Sequence, residues 1–401
     1  MPGLSCEEAA LRAGVESDYV RRLIELGILT RRDGELTSGD VRRIGLIRSL
    51  DEGGIPLDDM AAGFSRGLLS IGFIDRPEYD KFTQLSGETF AQVAARTGIP
   101  IQLLGVIRET TGFGSARPDA LMREDEQRVV PFLEAQLQFG FDPVAIERLL
   151  RAMGDNARRI AEAEAEWWRS QVTEPRLEAG QRADEVGQPA GAEALPSLAQ
   201  AALLAIYSAQ QTQTWTYNIL SAFRYLLANA GLYNAPERLP AICFLDITGY
   251  TRLTQERGDR AAADLAEQLA RLVKRSALEH GGRPVKWLGD GVMCYFSEPS
   301  GGVLAALEMV EGIVAAGLPP AHVGLHAGQV VLQEGDYYGQ TVNMAARIAE
   351  YARPGEVLVS RAVVDAAKAG DGLGIAFGPI GDVELKGVSG PVELYVATAA
   401  V

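Results

Sequence analysis

From Leu239 to the C-terminus, short apolar runs of strand length alternate with longer amphipathic runs, and this alternation constrains the chain more than any other feature. PAICFLDITGYTRL opens with an apolar strand, Ala241 to Leu245, that runs into Asp246. ADLAEQLARLVKRSALEH follows as a helix, and RPVKWLGDGVMCYF reads as two strands around the turn Leu288-Gly289-Asp290-Gly291. Next come the helix VLAALEMVEGIVAAG, the strand HVGLHAGQVVL, the loop QEGDYYGQ and the helix TVNMAARIAEYA. The strand GEVLVS and the hairpin VELKGVSGPVELYVA close the chain. The pattern predicts a sandwich of helices over a mostly antiparallel sheet across residues 238–401. The preceding part is helical in pattern, so the expected class is α+β with an all-α N-terminal region.

That region contains an internal echo. LSCEEAALRAGV begins at Leu4 and LSGETFAQVAARTGI at Leu85, an offset of 85 − 4 = 81. Each is followed by a helix-like stretch and then by a helix closed at a glycine turn, where the offset is 140 − 54 = 86. Two readings fit: tandem duplication of one small unit, or coincidence between amphipathic helices. The expected units are 1–80 and 81–160. EEAALRAGV, VRRLIELGIL and DVRRIGLIRSLDEGGIPLDDM, spanning Ser5 to Met60, resemble the helix-turn-helix of MerR-type regulators. In that family a short helix enters the DNA major groove and a wing grips phosphates. Residues 1–60 hold eight arginines against twelve acidic residues, and the wing RRDGEL lacks the family's basic-aromatic pattern. A helical scaffold reused for regulation or dimerisation is therefore expected. The whole chain of 401 residues carries a formal charge of −15, which also argues against a nucleic-acid partner.

Residues 161–237 read as a connector, with Trp167-Trp168 as a packing anchor and a break at Gly187-Gln188-Pro189-Ala190-Gly191. Leu195 to Phe223 contains no charged residue, and Arg224 is the only charge up to Ala230. Its glutamines make it a poor membrane span, so it is expected to be buried against other helices, in a homodimer against its own copy. The cysteines are Cys6, Cys243 and Cys294, an odd and widely spaced set that fits a reducing cytoplasm. Met1 to Ala10 has neither a basic nor an apolar leader pattern, so no signal peptide is expected.

Two carboxylates stand out in the C-terminal region. Asp246 ends an apolar strand and Asp290 lies in a glycine-flanked turn. Either alone reads as a turn or cap residue. Together, on adjacent strands, they are placed to hold two divalent ions against phosphate oxygens. Ile247, Thr248, Gly249 and Tyr250 follow as the start of a helix, whose backbone N–H groups are candidates to cradle phosphate. Asn343 and Arg347, four apart on one helix face, suit a sugar contact and a phosphoryl charge, although such a pair is also common on surfaces. His280, His322 and His326 lack metal-ligand spacing, and His326 reads as a packed structural residue.

F-L-D-I-T-G-Y at 244–250, K-W-L-G-D-G at 286–291, G-D-Y-Y-G at 335–339, N-M-A-A-R at 343–347 and E-L-K-G-V at 384–388 together resemble the catalytic domain of class III nucleotidyl cyclases. The resemblance spans about residues 238–398. It implies that Asp246 and Asp290 bind two metals, Mg²⁺ or Mn²⁺. It implies that Lys286 and Asp336 recognise the purine, that Asn343 and Arg347 serve the transition state, and that Lys386 grips the terminal phosphates. It also implies a head-to-tail homodimer, with the aspartates of one chain facing Lys286, Asp336, Asn343 and Arg347 of the other. Adenine offers an N6 donor and an N1 acceptor, which suit Asp336 and Lys286, so ATP is the expected substrate and cyclic AMP with pyrophosphate the products. The alternatives are a guanylate cyclase, or a DNA-binding regulator whose cyclase-like domain senses nucleotide. Residues 1–237 are expected to regulate by orienting the protomers, under the control of pH or of a small apolar ligand such as a fatty acyl chain near Leu203 to Phe223.

Overall fold

The computed structural model describes residues 3–31, 34–71, 74, 85–181, 194–232, 239–249, 258–368 and 374–400. It divides into two compact units, residues 1–217 and 218–401.

The first unit contains two successions of elements with matching punctuation. In the first, helices α1 (Cys6–Ala13), α2 (Ser17–Glu25), α3 (Ser38–Glu52) and α4 (Leu57–Ser65) follow one another, and Leu4 bridges Leu36. In the second, β1 (Leu85–Thr89) pairs with β2 (Leu121–Arg123) around α5 (Phe90–Thr97) and α6 (Ile101–Thr110). Helices α7 (Glu124–Gln138) and α8 (Pro143–Trp168) complete it. Ser5 with Glu8, and Thr89 with Gln92, form capping boxes that start α1 and α5. Gly14 and Gly98 end those helices in the left-handed region, at φ 69° and 73°.

Asp40 and Glu126 sit at the third position of α3 and α7, are buried, and accept the backbone N–H of Thr37 and Arg123 at 2.8 and 2.7 Å. Each buried carboxylate is paired, Asp40 with Arg43 at 2.5 Å and Glu126 with Arg108 through two bonds of 2.8 and 2.9 Å. Without those arginines the burial would be costly. Each succession also has its own apolar core, one around Val20, Leu23 and Ile44, the other around Phe90, Leu104 and Leu133.

Two expectations change here. The break placed at 160/161 falls inside α8, which continues to Trp168, and a π-turn then leads into α9 (Glu174–Glu178). Trp167 is half exposed, and its ring lies 6.1 Å from that of Trp168, which is partly buried. The uncharged run folds as α10 (Leu195–Asn229), but within a single chain none of its residues is buried. Periodicity identified the helix; among the described residues nothing buries it.

The second unit is built on a seven-stranded sheet of order β10-β11-β9-β6-β3-β5-β4. The strands are β3 (Ala241–Ile247), β4 (Gly282–Leu288), β5 (Gly291–Phe296), β6 (Ala321–Ala327), β9 (Val357–Ser360), β10 (Ile375–Val383) and β11 (Val392–Ala399). All neighbours are antiparallel except β6 with β9. The alternation of β3 divides its side chains between two faces. Ala241, Cys243, Leu245 and Ile247 enter the main core with α11 (Asp259–Glu279), α12 (Pro299–Ala315) and α14 (Arg361–Lys368). Ile242 and Phe244 pack in the opposite direction, with Ala345 of α13 (Gln340–Tyr351). A separate two-stranded hairpin, β7 (Val331–Gln333) and β8 (Asp336–Tyr338), precedes α13.

Candidate active site

Asp246 belongs to the Ile242–Phe244 face of β3 and is flanked in register by Gly291 of β5 and His322 of β6. Asp290 occupies the two-residue turn between Leu288 and Gly291, where Gly289 takes φ 71°, as the first position of a tight hairpin loop requires. The hairpin therefore sets Asp290 one residue from the position facing Asp246. A Cβ at 291 would lie 3.2 Å from the Asp246 carboxylate, so glycine there leaves that oxygen room. Burial raises the Asp246 carboxyl above its ordinary pKa and the nearby Asp290 charge raises it further, while His322 and the Ile247 N–H pull it back. Asp246 remains 47% exposed and opens, with Asp290, His322, Phe244, Ala349 and Glu350, onto a cavity of about 480 Å³.

This donor set fits a hard divalent cation. Two carboxylates that disfavour each other's charge face an accessible cavity, and their oxygens suit Mg²⁺ or Mn²⁺, which keep water and phosphate oxygens as further ligands. Among the described residues no group of three or more His, Cys, Asp or Glu side chains gathers as a metal cage. The pair is thus suited to an ion brought or completed by substrate.

His322 escaped the sequence reading. Its Nε2 lies 3.7 Å from Asp246 Oδ2 and its Nδ1 3.3 Å from Thr248 Oγ1, so it braces the carboxylate against the turn. The signal is the pairing of β3 with β6, across 74 residues, which no local spacing reveals. The other histidines hold the scaffold: His280 meets Glu308 at 3.0 Å, and His326 meets Ser360 at 2.7 Å, with its pKa lowered by burial.

Lys286 and Asp336 come together. Lys286 Nζ lies 2.5 Å from Asp336 Oδ2, and Asp336 Oδ1 accepts the Tyr337 N–H at 2.7 Å. Asn343 and Arg347 lie on α13, where Arg347 meets Glu350 at 2.5 Å. Lys386 is exposed in the connection between β10 and β11. The cavity at Asp246 and Asp290 is lined by none of Lys286, Asp336, Asn343, Arg347 and Lys386.

The expected phosphate cradle is narrower than the sequence suggested. Ile247 is still in the strand and donates its N–H to Asp246 Oδ1 at 3.1 Å; Thr248 donates to Pro320 O at 3.0 Å. The Asp246 carboxylate and the Pro320 carbonyl thus occupy two of the four amides. Gly249 turns the chain at φ 77°, and Tyr250 lies outside the described residues.

Residues 233–399 match the family described as the adenylate and guanylate cyclase catalytic domain. An uncharacterised protein of Mycobacterium tuberculosis (strain ATCC 25618 / H37Rv) is 29% identical over 367 residues, 88% of this chain and 89% of its own. An adenylate cyclase of Streptomyces coelicolor is 27% identical, covering 68% of this chain and 70% of its own. A pH-sensitive adenylate cyclase of Mycobacterium tuberculosis (strain CDC 1551 / Oshkosh) is 26% identical over 76% of each chain. Among solved structures, the adenylyl cyclase CyaB from P. aeruginosa aligns with 41% of this chain and 95% of its own, at 24% identity and a TM-score of 0.36. The motif set and the matched span agree: residues 233–399 form a class III adenylate/guanylate cyclase catalytic domain.

Proposed function

We propose that the protein is an adenylate cyclase that converts ATP to 3′,5′-cyclic AMP and pyrophosphate at sites shared between two copies of the chain. The observation that carries the choice of base is the Lys286–Asp336 pair. A lysine donates and a carboxylate accepts, which complements adenine N1 and N6; guanine presents the reverse pattern. The two side chains already stand 2.5 Å apart, so both are gathered where one base edge can replace their mutual contact.

Asp246 and Asp290 are the residues that would hold Mg²⁺ or Mn²⁺. Such ions lower the pKa of the ribose 3′-hydroxyl and neutralise charge on the phosphates. Asp246 is kept in place for this by its strand, by the room at Gly291 and by His322. Asn343 orients the ribose, Arg347 stabilises charge growing at the α-phosphorus, and Lys386 holds the terminal phosphates. For Arg347 this requires leaving Glu350, an exposed pairing that costs little to break. The separation of the aspartate cavity from the other five residues supports a site completed by a partner chain. So does α10, an uncharged helix with no cover of its own.

Residues 1–237 act on this reading as the regulator, by setting how the two catalytic domains meet. The name of the pH-sensitive relative, which aligns over 76% of this chain, supports a regulated enzyme. The excess of acidic residues in 1–60 argues against DNA binding as the role of the helix-turn-helix-like segment. The test is turnover of ATP and of GTP by the purified full chain with Mg²⁺ or Mn²⁺. Cyclic AMP formation should exceed cyclic GTP-derived product by about tenfold or more. Equal rates, a preference for GTP, or no turnover of either contradicts the proposal.

A further inference from the structure

We infer that Arg283, Tyr295 and Tyr337 form a clamp that positions Asp336 against Lys286, and that this clamp sets how strictly the site selects its base. The inference rests on the reading of Lys286 and Asp336 as the base-recognising pair.

The hairpin β7–β8 carries Asp336 but shares no ladder with the seven-stranded sheet. It has three residues in each strand, joined through Glu334 and Gly335, both with positive φ (54° and 81°). A ribbon of this size is marginal by itself, so its placement must come from side-chain anchors. Tyr337 is such an anchor. It is only 6% exposed, and its ring stacks on Tyr295 of β5 with centroids 4.5 Å apart and planes 6° from parallel. Arg283 of β4 donates from Nη2 to the Tyr337 hydroxyl at 2.7 Å, and its guanidinium lies 5.2 and 5.7 Å from the two ring centroids. The carboxylate of Asp336 precedes this anchor by one residue and accepts its N–H.

The sheet itself is shaped for this. Arg283 is the register partner of Tyr295, and Lys286 that of Met293. Tyr295 and Met293 are two apart in β5 and share a face. Arg283 and Lys286 are three apart and, in a regular strand, would face opposite ways. The irregularity between Pro284 and Lys286 adds one residue to β4 and brings both cations to the same face. Lys286 then takes Asp336 while Arg283 takes the adjacent Tyr337. Proline is tolerated there because β4 is an edge strand. Arg283, Tyr295 and Tyr337 are thus positioning residues: they act on the base through Asp336.

The experiment measures kcat and KM for ATP and GTP on the full-length protein and on Arg283→Met, Tyr295→Leu, Tyr337→Phe and Tyr337→Leu, with Lys286→Ala as reference. Tyr337→Leu should raise KM for ATP about tenfold and reduce the ATP:GTP ratio of kcat/KM by a similar factor, with the loss falling on KM rather than kcat. Tyr337→Phe keeps the stack and loses the Arg283 bond, so it and Arg283→Met should show a smaller shift of about threefold. These two keep the buried rings and carry the test if Tyr337→Leu fails to fold. If Lys286→Ala loses base selection while Arg283→Met and both Tyr337 variants keep wild-type KM and ratio, the clamp is overturned and the base reading stands. A kcat loss equal for both nucleotides, with the ratio intact, also overturns the clamp. Wild-type selection in Lys286→Ala overturns the base reading and, with it, the inference.

Discussion

Asp246 shows how a single residue trades stability for chemistry. Its carboxyl is raised above the ordinary value by burial and by Asp290. A group bound more tightly to its proton in the folded than in the unfolded chain favours folding below its unfolded pKa, and that contribution is lost as pH rises through the folded value. Ionisation of Asp246 therefore weighs against the metal-free fold. Asp246→Asn should lower cyclase activity by about a hundredfold or more. It should raise the thermal midpoint of the metal-free protein at neutral pH and abolish the further rise that Mg²⁺ or Mn²⁺ gives the wild type; thermal unfolding with and without metal reads both. An unchanged metal response in Asp246→Asn would exclude this residue as a ligand. His322→Ala should cost about tenfold in activity and shift the metal dependence to higher concentration, because the brace on Asp246 is gone. Wild-type metal titration in that variant would show that the contact is incidental. Asp246 drew attention because a charge next to ICFL is costly to bury unless it is paired or holds a cation, and Asp290 only through its pairing with Asp246, since an Asp between glycines suits a tight turn. His322 was not legible, because its meaning comes from its register with Asp246, 76 residues away.

At the scale of elements, the placement of α13 decides whether Asn343 and Arg347 can act. The helix lies directly on β6 at Gly324, where a Cβ would come 2.1 Å from the Ala349 nitrogen and 2.6 Å from its Cα. Thr341 Oγ1 fixes the first turn by donating to Gln329 O at 2.6 Å. No side chain fits at 324 without moving the helix. Gly324→Ala should destabilise the domain by about 1–3 kcal/mol and reduce activity about tenfold, which denaturation and turnover measure together. Wild-type values for both would mean that α13 yields without consequence. β3, the β4–β5 hairpin, β9 and helices α11 to α13 were readable from periodicity and turn residues, whereas HVGLHAGQVVL divides into β6 and β7, β8 lies in the stretch expected to be a loop, and α14 and most of β10 were not read. The strand order was not readable either: β3 lies between β5 and β6, and β9 runs parallel to β6, through pairings between distant segments that leave no local pattern. The N–H cradle after Asp246 was misjudged for a related reason, since the strand continues through Ile247 and the Thr248 amide is taken by Pro320.

For the whole molecule, the informative contrast is between buried and uncovered surface. The catalytic sheet has apolar cores on both faces, whereas α10 runs for 35 residues, about 50 Å, with no buried residue. Its composition predicts that it needs a partner, and among the described residues of one chain none covers it. The cavity at Asp246 and Asp290 is not lined by Lys286, Asp336, Asn343 or Arg347, although Glu350, the ion-pair partner of Arg347, does line it. The proposed function takes both as the mark of two chains related by a twofold axis, each supplying what the other lacks. The most direct measurement is complementation. Asp246→Ala and Arg347→Ala should each be inactive alone. Mixed in equal amounts and allowed to exchange, half of the dimers become hybrids, each with one intact site of two, so activity should return to about a quarter of wild type. Recovery to that level is what shared sites predict; no recovery in a sample where hybrid dimers are demonstrated would mean that each site is built within a single chain.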